Sequence, residues 1–231
     1  AESDYLRVLE AQRLYSQADL EYVRSLGIEF SDEDFHRGMR WEFMYWANSS
    51  DLLKDLKKHE GENEKFWVNY SYRRLVALGI ARRKSRSLAP KVSAYMQEFY
   101  TPKSIIPDDV QKALHELKQH GYLMAVISNR DKPFGEELES HGISNFFDFS
   151  LAGGEVDAYK PEPEIFHHAL KRVNLHPEQA VYVGDNYYAD VVGSRRAGLR
   201  PVLYDPGGYF PEADCAVIKS FDELIPAIKN L

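Results

Sequence analysis

The sequence predicts an α/β fold with a Rossmannoid three-layer core, in which helices cover a parallel sheet, and a separate α-helical domain. Two observations support this prediction. The spacing of apolar residues changes near Pro107, and short apolar runs then alternate with helical segments to the end of the chain. Such alternation is typical of parallel strands joined by helical crossovers. We expect the helical domain over residues 1–102 and the α/β domain over residues 103–231.

The helical half is predicted from apolar residues that recur every three or four positions over residues 5–100, without an alternating apolar strand. Ser31 and Asp34 have the spacing of a capping box, which predicts that a helix begins there. Gly61 and the Ala89-Pro90 pair are expected to interrupt the helices, because glycine and proline are strong helix breakers.

The second half predicts an ordered series of elements. We expect helices over residues 110–120, 132–141, 163–173 and 188–197 with a last one from residue 221, and strands over residues 122–127, 147–151, 180–183 and 201–204. Gly121, Gly142 and Gly198 follow predicted helices, where a left-handed residue commonly ends a helix. Ligands of open parallel sheets bind at the carboxyl ends of the strands. Polar residues at those ends are therefore the candidates for a functional site.

Composition narrows the classes of function. With 231 residues and 44% hydrophobic content, the chain can bury a sizeable core. A formal net charge of −7 argues against a general nucleic-acid or membrane-surface role and favours a small soluble substrate. Cys215 is the single cysteine, which excludes an internal disulfide and fits a reducing compartment. The sequence shows neither a signal-peptide pattern nor a long apolar stretch, so we expect a cytoplasmic protein.

The first candidate site residues are Ser128 and Asn129, which directly follow an apolar strand. A serine hydroxyl and the backbone amide after it can donate hydrogen bonds to an anion such as a phosphoryl group. The alternative is an ordinary turn or helix cap, for which serine and asparagine are common.

Lys160 is the second candidate and lies in a loop just before a predicted helix, with Pro161 and Pro163 beside it. A lysine held there can neutralise a phosphate oxygen and a nearby carboxylate together, which is the charge that phosphoryl transfer requires. The alternative is a solvated lysine in a surface loop.

The third candidate is an acidic pair, Asp185 and Asp190, which follows a strand that ends in Gly184. Carboxylate oxygens in a tight turn are suitable ligands for Mg²⁺. The alternative is structural, with Asp185 capping the following helix at Tyr188.

Taken together and in this order, the three motifs resemble those of the haloacid dehalogenase (HAD) superfamily. The resemblance covers residues 107–231 and includes the stretch after the acidic pair, residues 190–208. It implies that Ser128 binds the phosphoryl group and that Lys160 stabilises the nucleophile and the intermediate. Asp185 would then ligate Mg²⁺ directly, with Asp190 supporting it. The acidic pair favours the phosphatase branch over the metal-free dehalogenases.

The first motif of that superfamily, a central strand ending in DxD that supplies the nucleophile, is not found. Asp32 and Asp34 form a DxD, but Glu29 interrupts the apolar run before it, and the capping box explains the pair better. We expect either a short natural segment ahead of Ala1 that supplies the strand or a chain that departs from the family's core. A central lane without its strand would leave backbone groups unpaired.

The resemblance assigns the helical half to a cap over the active site. Its aromatic residues are expected to pack in the core; they are Trp41, Tyr45, Trp46, Trp67, Tyr70 and Tyr72. Its basic run is expected to be a solvated helix end or loop rather than a substrate contact; it consists of Arg82, Arg83, Lys84 and Arg86. The leading hypothesis is a Mg²⁺-dependent phosphatase of small phosphorylated metabolites that uses an aspartyl-phosphate intermediate. The alternatives are a non-catalytic binding or regulatory protein without the nucleophile and a metal-free haloacid dehalogenase. The oligomeric state is not predicted.

Overall fold

A computed structural model describes residues 20–99 and 106–231. Within these residues the chain divides into two compact units, residues 20–99 and residues 106–231. The predicted helical pattern before residue 20 lies outside the described part. No helix in the described ranges is long and apolar enough to cross a membrane.

The described part of the first unit is helical, as its periodicity predicts. A helical turn at residues 20–25 precedes four helices: α1 (Asp32–Trp46), α2 (Ser50–Lys58), α3 (Asn63–Ala77) and α4 (Arg82–Phe99). The helical structure is interrupted between α2 and α3 around Gly61, as the sequence predicts. Arg82, Arg83, Lys84 and Arg86 lie exposed in the first turns of α4, which confirms the solvated helix end.

The start of α1 confirms the predicted capping box. Ser31 Oγ accepts a hydrogen bond from the Asp34 backbone N–H at 3.1 Å, and Asp34 Oδ2 accepts one from the Ser31 N–H at 3.0 Å. Arg37 donates to the other carboxylate oxygen at 2.6 Å. The DxD at Asp32 and Asp34 is therefore a helix start.

The break expected at residues 89–90 is wrong, because Pro90 lies inside α4. Proline in a helix interior removes the hydrogen bond to the carbonyl four residues earlier. Here that carbonyl belongs to Arg86, and both residues are exposed, so water can replace the missing N–H. Buried neighbours such as Ala89 and Val92 anchor the helix on its other side.

Among the described residues of the first unit, apolar side chains pack in two clusters. One joins the helical turn at residues 20–25 to α3 and α4 through Val23, Leu75 and Val92, and Tyr72 packs against it. The other is aromatic and consists of Tyr45, Phe66 and Tyr70 with Trp41, Trp46 and Trp67 packed around them. This arrangement confirms that the aromatic residues named from the sequence pack in the core.

The second unit alternates helices and strands in the predicted order. The helices are α5 (Asp108–Gln119), α6 (Gly135–Ser140), α7 (Gly153–Val156), α8 (Glu164–Val173), α9 (Val192–Arg196) and α10 (Leu224–Lys229), and the strands are β1 (Ala125–Ser128), β2 (Phe149–Ala152), β3 (Val181–Gly184), β4 (Arg200–Tyr204) and β5 (Ala216–Ile218). Gly121, Gly142 and Gly198 have positive φ angles after helices, as expected. The short α7 and β5 were not predicted.

All described strand pairs are parallel, but they form two separate sheets. β1 pairs with β2, and β4 pairs with β3 and β5. Among the described residues, no strand lies between β1 and β3. We call the space between these two inner edges the open lane.

In a continuous parallel sheet the central strands are normally buried on both faces. Here the strands that should be central, β1 and β3, are less buried than their neighbours. The strands on either side of the open lane bury only Ser128 in β1 and no residue in β3. The neighbouring strands are better covered, with Leu151 and Ala152 of β2 and Val202 and Leu203 of β4 fully buried. The sheet is therefore least covered where a central strand is expected.

Candidate active site

The candidate residues lie at the carboxyl ends of β1 and β3, on both sides of the open lane. Ser128 is the last residue of β1 and is buried, and Asn129 follows it. Gly184 ends β3 and leads directly to Asp185. The fold thus places these motifs at the edge where open parallel sheets bind ligands.

Asn129 and Lys160 are joined by two hydrogen bonds. The Asn129 side chain accepts one from the Lys160 backbone N–H at 2.6 Å and donates one to the Lys160 carbonyl at 2.8 Å. The loop that carries Lys160 is therefore attached to the end of β1. Through this contact the structure brings the Ser128-Asn129 segment and Lys160 together.

The Lys160 ammonium group connects its own loop to the loop that carries the acidic pair. Its Nζ lies 2.7 Å from Asp190 Oδ1 and 3.0 Å from the Tyr182 hydroxyl. Burial alone would lower the pKa of Lys160, but the neighbouring Asp190 and Tyr182 raise it above its usual value. The lysine is therefore a fixed cation, with its side chain only 13% exposed.

Asp190 is held from both sides. Its second oxygen accepts the Asn186 backbone N–H at 2.9 Å. A side chain at position 184 would have its Cβ 2.4 Å from the Asp190 carboxyl carbon, so Gly184 permits this close approach. The acidic loop is thus folded tightly around one carboxylate.

Asn186, rather than Asp185, caps the helical turn Tyr187–Val191. Its side-chain oxygen accepts the N–H groups of Tyr188 and Ala189, each at 3.0 Å. The alternative of Asp185 as a cap at Tyr188 is therefore wrong. An asparagine is as good a cap as an aspartate, so the sequence contained this signal one position later.

The carboxyl group of Asp185 has a raised pKa. Burial, and then the charge of Asp190, raises the pKa of its carboxyl group, against the opposing effect of Lys160 and the backbone N–H groups. Mg²⁺ binds through one or two carboxylates and keeps several water ligands. The described residues offer no cluster of three or more His, Cys, Asp or Glu side chains for a metal. Two crowded carboxylates fit Mg²⁺ chemically.

Tyr182 is a site residue that sequence reasoning missed. Its hydroxyl contacts Lys160 and also donates to the Ile127 carbonyl across the open lane at 3.4 Å. No local pattern marks Tyr182, since a tyrosine within an apolar strand is usually a packing residue.

Comparisons with known proteins identify the family of this chain. The haloacid dehalogenase-like hydrolase family model matches residues 48–203. The glyceraldehyde 3-phosphate phosphatase of Pyrococcus furiosus is 31% identical over 181 residues, which cover 78% of this chain and 72% of that protein. Haloacid dehalogenase-like hydrolase domain-containing protein 3 of Bos taurus is 26% identical over 229 residues, which cover 95% of this chain and 90% of that protein.

Solved structures show the same fold. The HAD-hydrolase YfnB from Bacillus subtilis, solved bound to magnesium, superimposes with a TM-score of 0.53 at 17% sequence identity and covers 95% of this chain and 92% of its own. The family match spans more than half of the chain and includes the Ser128, Lys160, Asp185 and Asp190 positions. This chain belongs to the haloacid dehalogenase-like hydrolases.

Proposed function

We propose that the protein is a Mg²⁺-dependent phosphatase of small phosphorylated metabolites that works through an aspartyl-phosphate intermediate. One observation carries the proposal: the Lys160 ammonium group forms an ion pair with Asp190 at the strand ends. The loop that carries Lys160 is hydrogen-bonded to Asn129, the residue after Ser128. A fixed cation, a hydroxyl donor and an acidic pair are the groups that phosphoryl transfer requires. The relative from P. furiosus, named for its action on glyceraldehyde 3-phosphate, supports the substrate class.

Each residue has a distinct role in this proposal. Ser128 and the backbone amide of Asn129 bind phosphoryl oxygens, and Lys160 neutralises the charge that develops during transfer. Asp185 and Asp190 would hold Mg²⁺, which when bound would supply further positive charge to the phosphoryl oxygens. Residues 1–102 are proposed to be the cap, which excludes water from the reaction.

The nucleophile is the group that the described site lacks. The DxD in the described part of the chain belongs to the start of α1, where Ser31 and Arg37 already bind Asp34. We propose that a further strand, occupying the open lane, carries the aspartate. The poor burial of β1 and β3 supports this placement.

A second candidate function is a non-catalytic protein that binds phosphate and metal. Its supporting observation is that the described site contains Lys160 and the acidic pair but no nucleophile. The two candidates differ in turnover and share the binding of inorganic phosphate. A test must therefore measure both.

The test is an assay of the protein against a panel of phosphate esters, with and without Mg²⁺, together with calorimetry of inorganic phosphate binding. We expect turnover that needs Mg²⁺ and falls by at least about 100-fold in Asp185→Ala. Asp108→Ala, which changes an exposed aspartate in the first turn of α5, is the matched control and should retain activity.

Other results would change the assignment. Mg²⁺-dependent activity retained by Asp185→Ala would show that the metal ligand is misassigned. Phosphate binding without turnover would favour the non-catalytic protein. Metal-independent release of halide from a haloacid would identify a dehalogenase instead.

A further inference from the structure

We infer that Asn129 is a positioning residue, whose side chain holds Lys160 in place instead of binding the phosphoryl group. The inference rests on the proposed function and refines the phosphate-binding role that the sequence predicts for Asn129. Both functional ends of its amide are directed at the same residue, one to the Lys160 N–H and the other to its carbonyl. Its side chain therefore satisfies both backbone hydrogen-bonding groups of Lys160.

The amide has a single orientation that satisfies both contacts. Reversing it would set the amino group against the Lys160 N–H and the oxygen against the Lys160 carbonyl, and both contacts would be repulsive. The two N···O distances, 2.6 and 2.8 Å, are at the short end for N–H···O hydrogen bonds. An amide used in this way does not turn toward a ligand without losing both bonds.

The contact fixes Lys160 where its side chain must act. Asn129 directly follows Ser128, so the same short segment carries the hydroxyl donor and positions the cation. From the anchored backbone, the Lys160 side chain reaches Asp190 on the far side of the open lane. A misplacement of roughly 1 Å at a catalytic group can cost about 100-fold in rate, and this double hydrogen bond limits such movement.

The segment after β1 has other attachments, so loss of the Asn129 amide need not unfold it. The Arg130 carbonyl accepts the Gly154 N–H at 2.9 Å, and the Arg130 guanidinium forms an ion pair with Glu137 of α6. The Tyr159 hydroxyl donates to Asp131 Oδ1 at 3.0 Å. A substitution at Asn129 thus tests the position of Lys160 rather than the existence of the loop.

The decisive experiment is a double-mutant cycle on the full chain, with Asn129→Ala, Lys160→Met and their combination. If Asn129 acts through Lys160, Asn129→Ala lowers kcat by roughly 100-fold in the wild-type background. In the Lys160→Met background it changes the rate by less than about 3-fold, because the group that it positions is already gone. The same cycle measured by inorganic phosphate affinity should show the same non-additivity.

Two variants serve as controls. Asn129→Asp keeps the shape but sets a carboxylate oxygen against the Lys160 carbonyl, which is repulsive, so its activity should be no higher than that of Asn129→Ala. Asn145→Ala removes an exposed asparagine of the same unit and should leave the rate unchanged. Melting temperatures of all variants separate a positioning effect from unfolding.

A further readout does not depend on turnover. Hydrogen exchange of the Lys160 backbone N–H, followed by NMR, should be at least about 10-fold faster in Asn129→Ala than in wild type. Unchanged exchange overturns the inference, even if the enzyme assay shows an effect. If exchange accelerates but wild type neither binds phosphate nor hydrolyses any ester, the proposed function fails and the contact stands as structural.

Two kinetic results would also overturn the inference. Equal losses from Asn129→Ala in the wild-type and Lys160→Met backgrounds would show that the residues act independently. A rise in KM with kcat unchanged would show that the Asn129 side chain binds substrate directly.

Discussion

Both units contain buried ion pairs, but the balance of charge differs between them. In the first unit Glu42 is 3% exposed and Arg74 2%, and the two form an ion pair with the Tyr70 hydroxyl donating to Glu42 at 2.9 Å. In the second unit Lys160 pairs with Asp190, while Asp185 adds another carboxylate beside them. The first arrangement is balanced, and the second has an excess of negative charge.

This difference separates a structural pair from a functional one. A balanced buried pair adds specificity to packing and is costly to break. Burial, and then the charge of Asp190, raises the pKa of Asp185, and groups with perturbed pKa values are concentrated at functional sites. Changes in the second cluster should therefore act mainly on activity, and changes in the first mainly on stability.

The largest expected effect is on activity in Lys160→Met. This change removes the positive charge that neutralises the transferring phosphoryl group and Asp190. We therefore expect kcat/KM to fall by about 1,000-fold or more. The measurement is steady-state hydrolysis of the best ester in the panel. Lys171→Met, which alters an exposed lysine of α8, is the matched control. A loss below about 10-fold would remove Lys160 from the proposed mechanism.

The next effect is on stability in Glu42→Gln. This change leaves the buried Arg74 without the charge of its carboxylate partner, and we expect the free energy of unfolding to fall by about 3 kcal/mol. Urea denaturation at 25 °C measures it, with Glu98→Gln on the exposed side of α4 as the control, expected within about 0.5 kcal/mol of wild type. A comparably small change at Glu42 would mean that the pair is not essential to packing.

The smallest effect is expected at the start of α1. Ser31→Ala removes the side-chain cap and should cost about 1 kcal/mol of stability, whereas Ser31→Asn should retain most of it. Thermal unfolding of the two variants measures the difference. Equal melting temperatures would contradict a stabilising role for the cap.

The same cap predicts a pH dependence. Hydrogen bonds from Ser31, followed by the contact with Arg37, lower the pKa of Asp34 from 3.8 to about 2. Because the folded-state pKa is below the unfolded value, the contribution of this carboxylate is complete above pH 3.8 and is lost as the pH falls toward 2. Ser31→Ala should therefore reduce the loss of stability in this acid range.

Much of the fold could be predicted because its signals are local. The helices of both units, the succession of strands along the chain and the capping box follow from apolar periodicity and turn chemistry over a few residues. The errors have local causes too. Pro90 is tolerated because its side of the helix is exposed, and Asn186 takes the cap one position after Asp185.

The candidate site could be predicted only in part. Sequence order places Ser128, Lys160 and the acidic pair after strands, but it does not state which atoms meet. Asn129 and Lys160 are 31 positions apart, and Tyr182 and Ile127 are 55 apart. Contacts over such separations depend on how strands are arranged in space, so roles based on them had to come from the structure.

The sequence alone determined the α/β class, the helical first half and the identities of the candidate phosphate and metal residues. Only the tertiary structure decided that the sheet is divided at the open lane, that the Asn129 side chain hydrogen-bonds the Lys160 backbone, and that Asp185 lies near enough to Asp190 for the two to interact. The physical reason is that periodicity and capping act along the chain, whereas strand pairing, burial and charge balance depend on distances between residues far apart in it.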